Sequence, residues 1–593
     1  MSKAPGSRRQ FILQTASAVG VTALGGSLAA CGESATPPAE FKYGVASGDP
    51  LADRVILWTH ARIPADDRAV WLDWQVASDS SFATVVRSGR ASASAATGYT
   101  VKVDADGLTA GSSYWFRFID DAGVVSPVGT TRTLPAAGVA TVKFAVFSCT
   151  LYAEGYFNAY KSAAASDAQY AVHLGDYIYE YGAAATQFGN TDAVKLGRVT
   201  SPAHDIVSLS DYRTRYALYR SDPDLQALHA RMPWITVWDD HEFANNAWVG
   251  GAENHNSSTQ GDWNARKAAA AQAYHEWLPI RTPDASNLLK IYRSFDFGSL
   301  LTLHMVDTRI EGRDRQYDSF GDADGGLARY VAGLTPNASG VTPDSTRKMM
   351  SSTQQAWLTS GISASKGAWQ FLGNQDIMGK MWFPASVLQA QASGSAAAVQ
   401  AAIGAYLTAK ATRAAAGVAA LTPTQSALLN PGTNPTLPYN LDAWDGYPSQ
   451  REAVLQAVRS QGKRLVALSG DSHNAWFNNL TTLAGQKVGV EFAGSSVTSP
   501  GFESAGLGGL ASSLDGSVLV PQLGNAAIGN GLGLVDDLNY ADTIRRGYLL
   551  MTVTATEVKG EYVFVSTVKS TTYTASVGRT ITVAASNGAV TYA

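Results

Sequence analysis

The segment Ala171-Val172-His173-Leu174-Gly175-Asp176-Tyr177-Ile178-Tyr179 runs from a short apolar strand directly into a glycine, a carboxylate and, three residues later, a phenol. A short apolar run that does not alternate belongs in a sheet covered on both faces. The same texture recurs three times. Phe144-Ala145-Val146-Phe147-Ser148 ends at Cys149, and Ile235-Thr236-Val237-Trp238 ends at Asp239-Asp240-His241-Glu242 with Asn245 and Asn246 just beyond. Leu465-Val466-Ala467-Leu468-Ser469-Gly470 ends at Asp471-Ser472-His473. Further apolar runs at 300–306 and 369–372 alternate with helix-like stretches, which predicts an α/β domain over 139–593. Open α/β sheets gather their ligands at the carboxyl ends of the strands, where these polar groups fall.

The flanking sequence is of another kind. Between 41 and 135, strand-like runs at 55–58, 71–76, 100–103 and 114–118 are separated by Gly, Asp and Ser clusters without any helical period, which predicts a small antiparallel β-sandwich. An Ala-rich insert at 386–438 is predicted to form one or two helices and then a proline-containing loop; its few ionisable groups assign it no chemistry. Strand texture returns at 548–553, 561–565 and 580–583. At the start, Ser7-Arg8-Arg9-Gln10-Phe11-Ile12-Leu13 resembles a twin-arginine export signal, and Leu28-Ala29-Ala30-Cys31 resembles a lipobox whose cysteine carries the membrane anchor. Residues 1–30 thus read as a signal peptide and 31–40 as a tether. The expectation is an exported periplasmic or cell-surface lipoprotein, carried by the twin-arginine export machinery and acting as a monomer.

Composition narrows the function. With 593 residues, 16% charged side chains and a net charge of −4, the chain has the core of a folded protein and no basic patch for nucleic acid. Two cysteines, Cys31 and Cys149, cannot build a disulfide framework, so each needs its own account. An acid after a strand is usually a helix cap, and a buried cysteine is usually a small hydrophobe. Six or more such groups together at the edge of a core would be costly unless a shared metal centre coordinates them. Thiolate, phenolate and imidazole favour iron or a similar borderline ion, whereas Asp and Asn oxygens suit calcium, magnesium or manganese. Such a mixed set suggests more than one ion, an arrangement suited to in-line displacement at phosphorus. Arg309, after the strand at 300–306, is the candidate phosphate clamp, with an ion pair to Asp307 as the competing reading. His241 could serve as general acid or as support for a ligand.

Taken in order, these motifs carry a specific resemblance. Phe41-Lys-Tyr-Gly-Val-Ala-Ser-Gly-Asp-Pro-Leu51, Ser148-Cys149, His173-Leu-Gly-Asp-Tyr-Ile-Tyr-Glu-Tyr-Gly182, Trp238-Asp-Asp-His-Glu-Phe-Ala-Asn-Asn246, Asp307-Thr-Arg309, Trp444-Asp-Gly-Tyr447 and Gly470-Asp-Ser-His473 resemble the PhoD family of alkaline phosphatases. The resemblance implies a fibronectin-III-like N-terminal domain, an α/β/β/α metallophosphatase-like catalytic domain, twin-arginine export, and ferric iron (Fe3+) with calcium (Ca2+). It implies iron at Cys149, Asp176, Tyr179 and His473. Asp176 would bridge to calcium, with Asp471, one of Asn245 and Asn246, and Asp240 as further ligands. Metal-activated water would then cleave phosphate monoesters and diesters. Two alternatives remain open at this point: a phospholipase D-like or polymer-directed phosphodiesterase, and a non-enzymatic lipoprotein stabilised by metal.

Overall fold

The structure, a computed structural model, describes residues 37–64, 66–317, 336–337, 340–341, 347–504, 533–586, 588 and 590–592. The signal peptide, Cys31 and most of the tether lie outside the described residues. Among those described, no helix is long and apolar enough to cross a membrane.

Two mixed sheets face each other. The first has ten strands, and at its centre Thr141–Phe147, Tyr170–His173, Trp234–Thr236 and Val45–Gly48 run parallel. The second has seven, with Leu301–Met305, Trp369–Gly373, Arg464–Ser469 and Lys487–Ala493 parallel in that order. Leu301–Met305 and Trp369–Gly373 are buried at every position, as strands covered on both faces must be. The sheets meet through rings such as Phe144 and Phe371, whose centroids lie 5.6 Å apart edge to face.

Helices close both outer faces. Leu209–Arg220, started by a Ser208/Asp211 capping box, and Trp263–Trp277 cover the first sheet with Tyr212, Tyr216, Ala270 and Tyr274. Ser352–Ala364 and Pro448–Ser460 cover the second with Leu358, Ile362, Val454, Leu455 and Val458. The α/β/β/α layering is therefore present. The tail strands Arg546–Thr554 and Glu557–Val565 extend the first sheet beside Thr141–Phe147.

The N-terminal strands form a seven-stranded sandwich. Val85–Ala93, Val70–Ala77, Ser113–Asp120 and Gly129–Arg132 make one sheet, and Val45–Gly48, Val55–His60 and Thr100–Ala105 form its partner. Ser113–Asp120 shows a clean alternation, with Tyr114, Phe116 and Phe118 inward. The partner layer is continuous with the ten-stranded sheet, because Gly48 pairs with Trp234 in parallel register.

The Ala-rich insert departs from expectation. It forms three helices, Ala385–Ala392, Ala396–Ala416 and Pro423–Leu429, and its last segment becomes a strand, Thr436–Pro438, paired with Trp382–Pro384. Gly394 and Gly417 adopt left-handed conformations at the breaks, and the Thr422/Gln425 capping box restarts the helix. Val399, Ile403, Tyr406 and Leu407 pin the long helix to a core shared with Trp476 and Phe502.

Sandwich and catalytic layers meet at an aromatic junction. Trp58 donates to the Glu276 carbonyl at 2.8 Å, the Arg220 guanidinium lies over the Trp58 ring, and His60 stacks on Trp277 at 5.5 Å. Burial pushes the His60 imidazole down to about 4 from 6.5. A depressed imidazole leaves stability intact above the unfolded value and loses it as pH falls from 6.5 towards 4, because the unfolded chain takes up the proton first. The loss expected is about 3 kcal/mol. Urea unfolding between pH 7 and pH 4 should show it, and His60→Phe should flatten that part of the profile; equal slopes in the two proteins would remove His60 as its source.

Candidate metal centre

The carboxyl ends of the parallel strands converge on one site, and the backbone there is unusual. Of the eight non-glycine residues with positive φ among the described residues, five lie here: Cys149, Asp176, Asn246, Asp471 and His473. Four of them turn the chain within four residues of a strand end, and Asn246 lies in the run of turns after Trp234–Thr236. Conformations of this kind cost of order 1 kcal/mol or more each and persist where the surroundings enforce them. Gly175, at φ +113°, lets two of the turns touch, since a Cβ there would fall 2.3 Å from the Asp239 Cβ.

One half of the site is a mixed donor set. Cys149, Asp176 and His473 present ligand atoms within 4.8 Å of one another. The Tyr179 hydroxyl lies 2.9 Å from Asp176 Oδ2 and 3.1 Å from His473 Nε2. His473 Nδ1 is spent on the Pro500 carbonyl at 2.6 Å, which leaves Nε2 as the coordinating nitrogen. Burial, followed by the Asp176 charge, pushes both the Cys149 thiol and the Tyr179 phenol well above their ordinary values. Burial holds the His473 imidazole near 3 and therefore neutral.

The other half is acidic. Asp176 also groups with Asp240 and His241, and Asp239 with Asp240 and Asp471. Burial drives the carboxyls of Asp176, Asp239 and Asp471 well up, so these groups cannot all be anionic together without added positive charge. Asp240 Oδ1 and Asp239 Oδ2 are buried with no hydrogen-bond partner among the described residues. Orphaned carboxylate oxygens beside a thiol, a phenol and an imidazole fit a mixed metal site of the kind that the resemblance implies.

Arg309 departs from expectation. Its side chain is fully buried, and its guanidinium meets Asp239 at 2.5 Å, Asp471 at 2.6 Å, Asp442 at 2.7 Å and Asp376 at 3.0 Å. A fork enclosed by four carboxylates has no free edge for phosphate, so the structure makes Arg309 the internal counter-ion of the acidic cluster rather than a clamp. The competing pair with Asp307 is different too: the Asp307 carboxylate accepts from the Arg309 backbone N–H at 2.8 Å.

His241 sits against the Tyr179 ring, centroids 4.2 Å apart, and its Nδ1 holds Glu180 at 2.6 Å. Burial disfavours the imidazolium, yet Asp240, Glu180 and Asp176 together outweigh it and raise His241 well above 6.5. Glu180 is correspondingly held near 2: burial opposes its charge, but His241 and hydrogen bonds from Asn254 and the Asn245 backbone prevail. The side-chain amides of Asn245 and Asn246 both turn to Glu253, at 3.0 and 2.6 Å, and the Asn245 Oδ1 lies 3.3 Å from the Tyr181 hydroxyl. The Asn246 backbone N–H is bound to Asp240 at 2.5 Å.

Several residues that organise the site were not among the sequence candidates. Glu242 accepts from the backbone N–H groups of Asp176 at 3.0 Å, Tyr177 at 2.5 Å and Asp239 at 2.7 Å, tying two strand ends together. Arg215, buried, donates to the Tyr179 carbonyl. Asp442 holds both Arg309 and Arg313. The only signal for Glu242 was its place in Asp239-Asp240-His241-Glu242, where it reads as one more acid.

Residues 144–562 match the family model described as "PhoD-like phosphatase", and residues 27–135 match "PhoD-like phosphatase, N-terminal domain". Alkaline phosphatase D of Bacillus subtilis (strain 168) is 34% identical over 479 residues, 78% of this chain and 70% of that protein. A solved structure titled "Structure of PhoD" superposes with a TM-score of 0.72 at 29% identity, covering 94% of this chain and 92% of that one.

Glu242→Gln would set an amide N–H against backbone donors that need an acceptor, at a cost of about 1–3 kcal/mol. The expected result is a lowered Tm together with reduced metal content in the purified protein; a variant matching wild type in both would show that Glu242 does not hold the two turns.

Proposed function

Because the chain belongs to the PhoD-like phosphatase family, we propose that it is a metal-dependent phosphoric ester hydrolase acting on phosphate monoesters and diesters, with ferric iron (Fe3+) held by Cys149, Asp176, Tyr179 and His473 and calcium (Ca2+) by Asp240 and Asp471. The observation that carries this reading is Asp176, whose carboxylate belongs both to the Cys149/His473 group and to the Asp240/His241 group. One carboxylate common to a soft donor set and a hard one supports a bridged pair of unlike ions. Ions bound there would lower the pKa of a water and neutralise charge that builds on the phosphoryl oxygens.

The chain's own residues supply the rest. Arg309 keeps Asp239, Asp376, Asp442 and Asp471 in place against their mutual repulsion. His241, its Nδ1 2.6 Å from Glu180 and its ring 4.2 Å from that of Tyr179, packs against the Tyr179 ring and supports it from one side. Phe188 stacks on His473 at 5.8 Å and Tyr181 flanks Tyr179 at 6.3 Å, giving an aromatic wall beside the ligands for the organic part of the ester.

Wild-type holoenzyme should be coloured by tyrosinate-to-iron charge transfer and should cleave p-nitrophenyl phosphate and its bis ester at alkaline pH. Tyr179→Phe should bleach the colour, and Cys149→Ser should lower iron content. Full colour, metal and activity in both variants would displace the site. Retained rates on only one of the two esters, in the wild type, would settle the substrate class.

We further propose twin-arginine export and lipid anchoring, supported by Arg8-Arg9 and by Leu28-Ala29-Ala30-Cys31. Export in the folded state suits a site whose thiol must bind metal before it meets an oxidising exterior. Metabolic labelling with a radioactive fatty acid should mark the wild type and not Cys31→Ser; equal labelling would exclude Cys31 as the anchor.

A further inference from the structure

The turn that follows the strand Lys487–Ala493 touches three of the four iron-ligand candidates without supplying a ligand itself. The Val497 N–H donates to the Ser148 carbonyl at 3.0 Å, and the Ser499 N–H to the Cys149 carbonyl at 3.3 Å. The Ser499 hydroxyl lies 2.7 Å from the Tyr179 oxygen and 2.9 Å from the Cys149 carbonyl. The Pro500 carbonyl takes the His473 Nδ1. Ser499 is fully buried, and its own carbonyl is fixed by the Ser496 hydroxyl at 2.5 Å. Beyond it, Glu503 accepts from the Gly501 N–H at 3.1 Å and pairs with Arg546, while the Gly547 N–H holds the Ser496 carbonyl at 3.0 Å. The turn is thus anchored at both ends to elements outside the ligand set.

We propose that Ser499 is a positioning and tuning residue of the metal centre, giving its hydroxyl proton to the Tyr179 phenolate when iron is bound and so setting how strongly that phenolate donates to the ion. This inference rests on the iron reading of the site. Ser499 has one proton and two acceptors in reach, the Cys149 carbonyl and the Tyr179 oxygen. A neutral phenol donates its own proton to Asp176 Oδ2 at 2.9 Å. A phenolate has no proton and carries charge, so it is the stronger of the two acceptors and draws the Ser499 hydroxyl to itself. A hydrogen bond to a coordinated oxygen withdraws electron density from the bond to the metal. The phenolate level falls, its charge-transfer band moves to shorter wavelength, and the ferric state is less strongly favoured. With the Pro500 carbonyl fixing the tautomer of His473, one short turn governs the donor strength of the phenolate and the aim of the imidazole.

The test compares wild-type holoenzyme with Ser499→Ala, Ser499→Thr and Thr498→Val, reading the wavelength of the charge-transfer band and the rate at which a chelator removes iron. Thr498 shares the turn, but its hydroxyl bonds the Leu151 carbonyl at 2.9 Å and faces no ligand. Ser499→Ala should shift the band to longer wavelength and, by leaving the phenolate the stronger donor, release iron more slowly. Ser499→Thr should restore the wild-type band by keeping the hydroxyl, and Thr498→Val should leave the band in place. A coloured wild type with the same band and the same iron release in Ser499→Ala would overturn the role of Ser499 alone. A wild type that holds iron without a tyrosinate band would overturn the assignment of Tyr179, and this inference with it.

Discussion

Burying negative charge is the constraint on which this structure depends. Asp176, Asp239, Asp240, Asp376, Asp442 and Asp471 converge at the ends of two sheets, where burial alone would force several of them to take up protons. Arg309 answers part of this demand with one guanidinium shared among four carboxylates. Such a buried pair adds little net stability over an apolar core of the same shape, but removing one partner from it is costly. Its use here is geometric: the arginine keeps oxygens close together that would otherwise move apart, and leaves Asp240 Oδ1 and Asp239 Oδ2 without hydrogen-bond partners among the described residues. The remaining charge is the affinity of the site for cations.

The fold supplies this geometry through strand ends rather than through a flexible loop. Parallel strands of both sheets stop at the same edge, and positive φ at Cys149, Asp176, Asp471 and His473 turns the chain within two to four residues of a strand end. Glu242 then ties the Asp176 turn to the Asp239 turn, and Gly175 allows the two to close. Candidate ligands held in this way are pre-positioned, which would limit what an ion must order on binding.

The strand-end pattern made most of the candidate site legible in the sequence. Cys149, Asp176, Tyr179, Asp240, Asp471 and His473 each follow an apolar run, and the structure brings them together because the runs lie parallel. The roles of Arg309 and His241 were less legible, since a charged side chain after a strand does not disclose its partners. Arg309 meets Asp376, Asp442 and Asp471 at separations of 67 to 162 residues, which no local spacing could reveal. Ser499 and Glu242 escaped for another reason: they act through backbone groups and one hydroxyl, and a serine in a turn after a strand is common. The layers of the catalytic domain followed from all-apolar strands, whereas the continuity of the sandwich with the ten-stranded sheet rests on one register, Gly48 against Trp234.

The Ala-rich insert shows how a segment with few ionisable groups can still reach the chemistry. Its helices are held by Val399, Ile403, Tyr406 and Leu407, and its return strand Thr436–Pro438 pairs with Trp382–Pro384. That pairing places Tyr439 edge to face on Phe502 at 5.3 Å and brings the chain to Asp442 four residues beyond the strand. Asp442 accepts from Arg309 at 2.7 Å and also binds Arg313 through its side chain and its carbonyl. Tyr439 and Asp442 therefore share one short segment, and Phe502 lies three residues from Ser499 on the turn that holds His473 and Tyr179. This segment touches both the packing of the insert and the acidic cluster. The long helix that packs on Trp476 and Phe502 is therefore joined to Arg309 by one continuous set of contacts through Tyr439 and Asp442.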